Sequence, residues 1–97
     1  MSAFLVFSVK LKDKNKWGEY LPQAQASIGK YGGELLIRGP FKTVISGEAP
    51  EHQIGGVLKF KSVDDIYKWY ASDEYSPLIP LREEAAVVNQ TIYEVSE

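Results

Sequence analysis

With 97 residues, 44% hydrophobic and 25% charged, the chain has the size and composition of one small globular domain, and no run approaches the roughly 18 apolar residues that a membrane span needs. A net charge of −2, with lysines and acids mixed along the chain, leaves no basic footprint for nucleic acid. Having no cysteine excludes a disulfide framework and any thiolate chemistry, and it fits a cytoplasmic protein. A domain this small buries only roughly 60 to 65% of the surface its unfolded chain exposes, so burial in an oligomer would add to its stability.

The opening "MSAFLVFSVKLKDK" lacks the basic segment and small-residue cleavage pattern of a signal peptide, and it reads as a first β-strand. Ala3, Leu5, Phe7, Val9 and Leu11 are apolar on one parity, and Phe4 and Val6 are apolar on the other, which predicts a strand covered on both sides. The basic corner "KLKDKNK" reads as a solvated junction between this strand and a helix. From Trp17 the spacing changes to steps of three and four through Tyr20, Leu21, Ala24, Ile28 and Tyr31, which predicts an amphipathic helix beginning near Asp13. Pro22 is expected either to kink that helix or to open its regular part.

In "KYGGELLIRG" the glycine pair Gly32-Gly33 stands where a helix needs a left-handed residue to stop. "ELLIRG" is then a short strand, which Gly39-Pro40 is expected to break before "KTVISGE" resumes an extended course. Ile54 to Lys61 predicts another strand, with Leu58 and Phe60 alternating against Lys59 and Lys61. Ser62, with Asp65 at capping-box spacing, opens a second helix whose apolar side carries Ile66, Tyr67, Trp69 and Tyr70. A proline-containing loop and a short helix near Leu81 to Ala86 lead to a closing strand, "VVNQTIYEV". This order predicts an α+β fold in one domain, residues 1–97: a ferredoxin-like βαββαβ sandwich, its antiparallel sheet bearing the helices on one face. The other face is expected to meet a second copy of the chain.

The sequence resembles the bacterial family known as domain of unknown function 1330. The resemblance spans nearly the whole chain and is carried by "KYGGELLIRG", by "FKSVDDIYKWYASDEYSPLIPLREEA" and by the glycine of "VISGE", in order. It implies a ferredoxin-like fold in the dimeric α+β-barrel superfamily, in which two sheets face each other across a two-fold interface. That superfamily holds haem-degrading and cofactor-free monooxygenases, isomerases and ligand-sensing domains, so fold analogy leaves the chemistry open. The chain departs from the family pattern at Arg38-Gly39-Pro40, where Arg-Gly-Gly is common, and at Ser72-Asp73-Glu74-Tyr75, where Ser-Pro-Glu-Tyr is common. It also carries Ser46 where the family often has an acid, so no mechanism that needs a carboxylate at that point carries over.

His52, the single histidine, lies in "EAPEHQIGG" without a second histidine or a cysteine to complete a metal site, and it reads as a solvated loop residue. Ser8, Ser46, Ser72 and Ser76 read as turn, cap or strand residues, because a nucleophile needs a base beside it. The more informative set is Arg38, Tyr70, Tyr75 and Arg82. Arg38 ends a mostly apolar strand and offers a planar fork to a carboxylate, unless it pairs structurally with Glu34, Glu48 or an acid of a partner subunit. Tyr70 and Tyr75 bring aromatic bodies with polar tips beside Arg82, and these line a small pocket or glue the second helix to the sheet. The leading expectation is a homodimer that binds a small polar or anionic molecule through these four residues and needs no metal or organic cofactor. The rivals are a non-catalytic dimeric interaction module and a cofactor-free oxygenase or isomerase. Neither nucleic acid nor membrane is expected as a partner.

Overall fold

Strand β1 (Ser2–Leu11) is the spine of the sheet in the computed structural model, which describes residues 1–49 and 51–96. It pairs antiparallel with β4 (Ala86–Val95) on one side and with β3 (Ile54–Phe60) on the other. Strand β2 (Glu34–Pro40) adds antiparallel to the outer edge of β3, giving the order β2-β3-β1-β4. Helix α1 (Lys14–Lys30) connects β1 to β2, and α2 (Val63–Tyr70) follows β3. A single 3₁₀ turn at Ser76–Leu78 then leads into α3 (Ile79–Ala85). The architecture is the α+β ferredoxin-like sandwich that the element order predicts, with the last short helix starting two residues before the expected Leu81.

One parity of the sheet holds the core. Ala3, Leu5, Leu58 and Phe60 are buried against Tyr20 and Ala24 of α1 and Ile66 and Trp69 of α2. The other parity is not covered within the chain: Val6 is 38% exposed, Tyr93 58% and Ile37 65%. The expected two-sided burial of β1 is therefore met on one side only by the chain's own helices.

Local signals explain most element ends. The Asp13 carboxylate accepts the amides of Asn15 (3.0 Å) and Lys16 (3.1 Å), satisfying two of the four unpaired donors of the first turn of α1. The helix runs through Pro22 without interruption. At its C-terminus the Gly33 N–H reaches the Ile28 carbonyl and the Gly32 N–H that of Gly29, with Gly32 at φ +76°, a Schellman stop that only glycine adopts cheaply. Gly33 has a packing reason as well, since a Cβ there would sit 2.5 Å from the Ile28 side chain and 2.6 Å from the Phe60 ring. The Ser62 hydroxyl accepts the Asp65 amide at 3.1 Å and caps α2.

Two expectations about the middle of the chain are corrected. Pro40 does not break β2 but stays in register opposite Ile54, which an edge strand allows. The segment "KTVISGE" is not extended in a sheet. The Phe41 N–H donates to the Gln53 carbonyl, ladder pairing ends there, and the chain turns through Gly47 at φ +93° with Ile45 fully exposed.

Candidate functional site

Helix α3 drives Arg82 into the aromatic core. The residue is 5% exposed, and its Nη1 donates to the hydroxyls of Tyr70 (3.1 Å) and Tyr75 (3.1 Å) and to Oε1 of Gln90 (3.2 Å). Nη1 has only two hydrogens, so one of these bonds is shared. Nη2 donates to the Glu83 carboxylate at 2.8 Å, and the guanidinium carbon lies 5.6 Å from the centre of the Tyr70 ring. Nε is buried without a partner among the described residues. The one carboxylate on this buried cation belongs to a side chain that is itself 60% exposed, so much of that carboxylate's charge is screened by water.

Tyr75, fully buried with its ring centre 4.1 Å from that of Trp69 and tilted 37° to it, passes the network on through a 2.7 Å hydrogen bond between its hydroxyl and that of Tyr20. Either hydroxyl can be the donor in this bond, since the Tyr75 oxygen that accepts from Arg82 has a second lone pair for the Tyr20 proton. Burial first, and then the neighbouring Tyr75, push the Tyr20 hydroxyl above the ordinary tyrosine range, so it is a neutral donor at any physiological pH. For Arg82 burial alone would favour loss of the proton, but Glu83 and the tyrosine oxygens outweigh it and hold the guanidinium charged.

Tyr20 and Gln90 face a cavity of about 60 Å³ between α1 and the sheet. Its walls are apolar at Phe7, Ala24, Ile28 and Leu58, and Gln25 and Arg38 add polar groups. Arg38 reaches it because it stands opposite Gly56 on the helix-bearing parity, beyond the β2 bulge between Leu35 and Ile37. A Cβ at Gly56 would overlap the Phe7 ring and come within 2.6 Å of the Ile37 carbonyl, so glycine is required for that ring to lie across the sheet beside Arg38. Arg38 itself is exposed and forms no ion pair with Glu34, Glu48 or any other acid among the described residues.

The four residues expected to form a site thus divide. Arg38 lines the cavity, whereas Tyr70, Tyr75 and Arg82 come together one layer behind its wall. Tyr20 and Gln90, which carry the network to the cavity, are not among those four. Tyr20 sits on the apolar stripe of α1 and reads as packing, but Gln90 had a signal: it takes an inward position of β4 between Val88 and Ile92. Tyr67, grouped with the packing residues, is 62% exposed, while Trp69 is buried with its indole N–H donating to Ser27 Oγ at 3.0 Å.

On the uncovered parity of the sheet a second, wider cavity of about 440 Å³ is lined by Ser8, Ile37, Arg38, Phe41, His52 and Gly55 among others. Here His52 is half-buried, not solvated, and its Nδ1 lies 2.6 Å from Ser8 Oγ. No group of three or more acids or histidines able to hold a metal ion occurs among the described residues.

Among solved structures the chain is similar to a protein of unknown function from Rhodopseudomonas palustris, with a TM-score of 0.84 at 12% identity, covering 99% of this chain and 83% of that one. It is also similar to SnoaB, a cofactor-independent oxygenase from Streptomyces nogalater, with a TM-score of 0.70 at 6% identity over 99% of this chain and 94% of that one. A dimeric protein of unknown function with a ferredoxin-like fold from Bacteroides fragilis matches at a TM-score of 0.56 and 15% identity, covering 97% and 96% of the two chains. At these identities the likeness establishes the fold and not the activity. No curated protein matches the chain. The family model for the domain of unknown function DUF1330 matches residues 2–95, and the chain belongs to that family.

Proposed function

We propose that the protein is a homodimer that binds a small anionic or polar molecule in the cavity between sheet and helices. The observation that carries this reading is the buried Arg82, whose charge is relayed through Tyr75 to Tyr20 and through Gln90 to the cavity wall, facing Arg38 across apolar surface. A guanidinium with its carboxylate partner largely in water favours an anion close by, and neutral hydroxyl and amide donors can hold one without moving charge. Arg38, Tyr20 and Gln90 would touch the ligand. Tyr70, Tyr75 and Arg82 would hold those donors in place from behind. The dimer would form through the uncovered sheet parity, where Phe4, Val6 and Tyr93 supply apolar surface. The cytoplasm is the proposed setting, resting on the cysteine-free sequence.

The size of the cavity favours the rival reading, a dimeric interaction module without chemistry. Small-molecule sites usually enclose about 300 Å³ or more, and about 60 Å³ admits a few water-sized groups. A cofactor-free oxygenase acting on an electron-rich aromatic substrate would need a larger volume than this, so a small carboxylate or phenolate suits the cavity better. Thermal-shift screening of small carboxylates and phenols against wild type and Arg38→Ala tests the reading. A ligand that stabilises wild type but not Arg38→Ala supports it, and identical responses to every ligand remove Arg38 from the site. Native mass spectrometry reports the dimer and any retained molecule in one spectrum, and a bare monomer would sink the proposed assembly.

A further inference from the structure

We infer that Ser8 and His52 form a nucleophile and its base, acting on small esters with an apolar acyl group in the cavity on the open side of the sheet. The inference is independent of the anion-binding reading, which concerns the opposite sheet parity.

Ser8 projects from β1 on the parity away from the helices, opposite Gly55 of β3 and Asn89 of β4. Gly55 has no side chain, so the sheet surface beside the hydroxyl is open rather than filled. His52 comes from the segment just before β3, forty-four positions away, and its Nδ1 lies 2.6 Å from Ser8 Oγ, both groups half-buried. That is the reach a base needs to take a hydroxyl proton. The residue after the histidine is sewn to the sheet: the Gln53 N–H donates to the Val9 carbonyl (2.8 Å), its side-chain oxygen accepts the Leu11 N–H (3.1 Å), and its carbonyl accepts the Phe41 N–H (2.7 Å). Three anchors on Gln53 hold the neighbouring imidazole against Ser8. No group bonds Nε2 among the described residues, so this is a dyad and not a triad.

The cavity around the pair supplies apolar wall for an acyl chain at Ile37, Phe41 and Ile54. The sheet parity is itself graded. Phe4, Val6 and Val57 form its apolar middle, while Ser8, Gly55 and Asn89 make a polar row nearer the end. A second subunit stacked on the apolar middle would leave that row at the margin of the interface.

In the step proposed, Ser8 Oγ attacks the ester carbonyl carbon as its proton passes to His52 Nδ1, and the carbonyl oxygen becomes a tetrahedral oxyanion. Collapse of that intermediate re-forms the carbonyl, breaks the bond to the leaving oxygen, and returns the proton from His52 to it. The acyl-Ser8 ester then yields to water by the same sequence, with His52 taking a proton from water and giving one back to Oγ. No oxidant, reductant or metal enters the balance.

The test uses the whole chain with p-nitrophenyl acetate, followed by intact mass and peptide mapping. The expected result is one acetyl group per chain on Ser8, absent in Ser8→Ala and formed roughly 100-fold more slowly in His52→Gln. A wild type that neither carries acetyl on Ser8 nor releases p-nitrophenolate faster than Ser8→Ala, acetylation of lysines or tyrosines instead of Ser8, or an undiminished rate in His52→Gln would overturn the inference. Because His52→Gln could loosen the loop, a second variant keeps the question open to refutation. Ser8→Cys places a single thiol in a cysteine-free chain, and with His52 as its base that thiol should be alkylated by iodoacetamide faster than a free peptide cysteine. Alkylation at or below the free rate would count against the pair.

Discussion

Two cavities meet at Arg38, and they are made in opposite ways. The one under α1 is small, about 60 Å³, and its polar wall is the surface of a buried network in which nearly every donor and acceptor has a partner. The one on the open side is some seven times larger, about 440 Å³ against about 60 Å³, and exists because glycine and a loop leave space above the sheet. Volume and chemical organisation are thus separate properties in this protein. The network has to form for the core to close, whereas the open cavity asks nothing of the core.

That contrast predicts a graded response to mutation. Arg82→Met should cost the most, on the order of 3 kcal/mol by urea unfolding, because it strips Tyr70, Tyr75 and Gln90 of their donor inside the core. A cost below about 1 kcal/mol would mean the network is solvated in practice and would erase the difference between the cavities. Tyr20→Phe should cost about 1 kcal/mol, by removing one buried hydrogen bond to Tyr75.

An alkaline titration sharpens the comparison further. Folded Tyr20 holds its proton above the ordinary value of 10.0, so beyond that pH the unfolded chain releases a proton that the folded chain keeps. Stability is then fully present below about pH 10 and falls as pH rises above it. The urea midpoint of wild type should drop through this window more than that of Tyr20→Phe, and equal slopes would place Tyr20 in contact with water. The smallest effect belongs to Arg38→Ala, less than about 0.5 kcal/mol, since the side chain is exposed and has no ion pair among the described residues. A large loss there would show that the open cavity is structural after all.

Period and punctuation carried the fold. The steps of three and four from Trp17, the glycine pair after Tyr31 and Ser62 three before Asp65 each correspond to a local bond or a buried stripe that the chain makes with itself. "KTVISGE" misled because a β-branched run such as Thr43-Val44-Ile45 favours an extended backbone without saying whether a neighbour exists to pair with it. The site was legible in part for a related reason. Arg82 and Tyr75 announce themselves as polar groups in an aromatic setting, but their link to Tyr20 joins residues fifty-five apart, and that of Ser8 to His52 spans forty-four. Such pairings follow from strand register and helix placement, which are properties of the assembled sheet. Gln90 is the exception that local reading could have caught, a polar side chain at an inward strand position.

The ten-residue pairing of β1 with β4, from Ser2 opposite Val95 to Leu11 opposite Ala86, has a consequence for how the chain is made. As synthesis proceeds, β1 emerges before its partner on one side and waits through three helices and two other strands with that edge bare. Its apolar residues on both parities are exposed to other nascent chains during that interval. Closure of the sheet and completion of the Arg82 network arrive together with β4, because Gln90 sits on that strand. Folding is therefore dominated by distant pairings, the regime in which domains of this size fold slowly, and the vulnerable period of this protein lies before its last strand is in place.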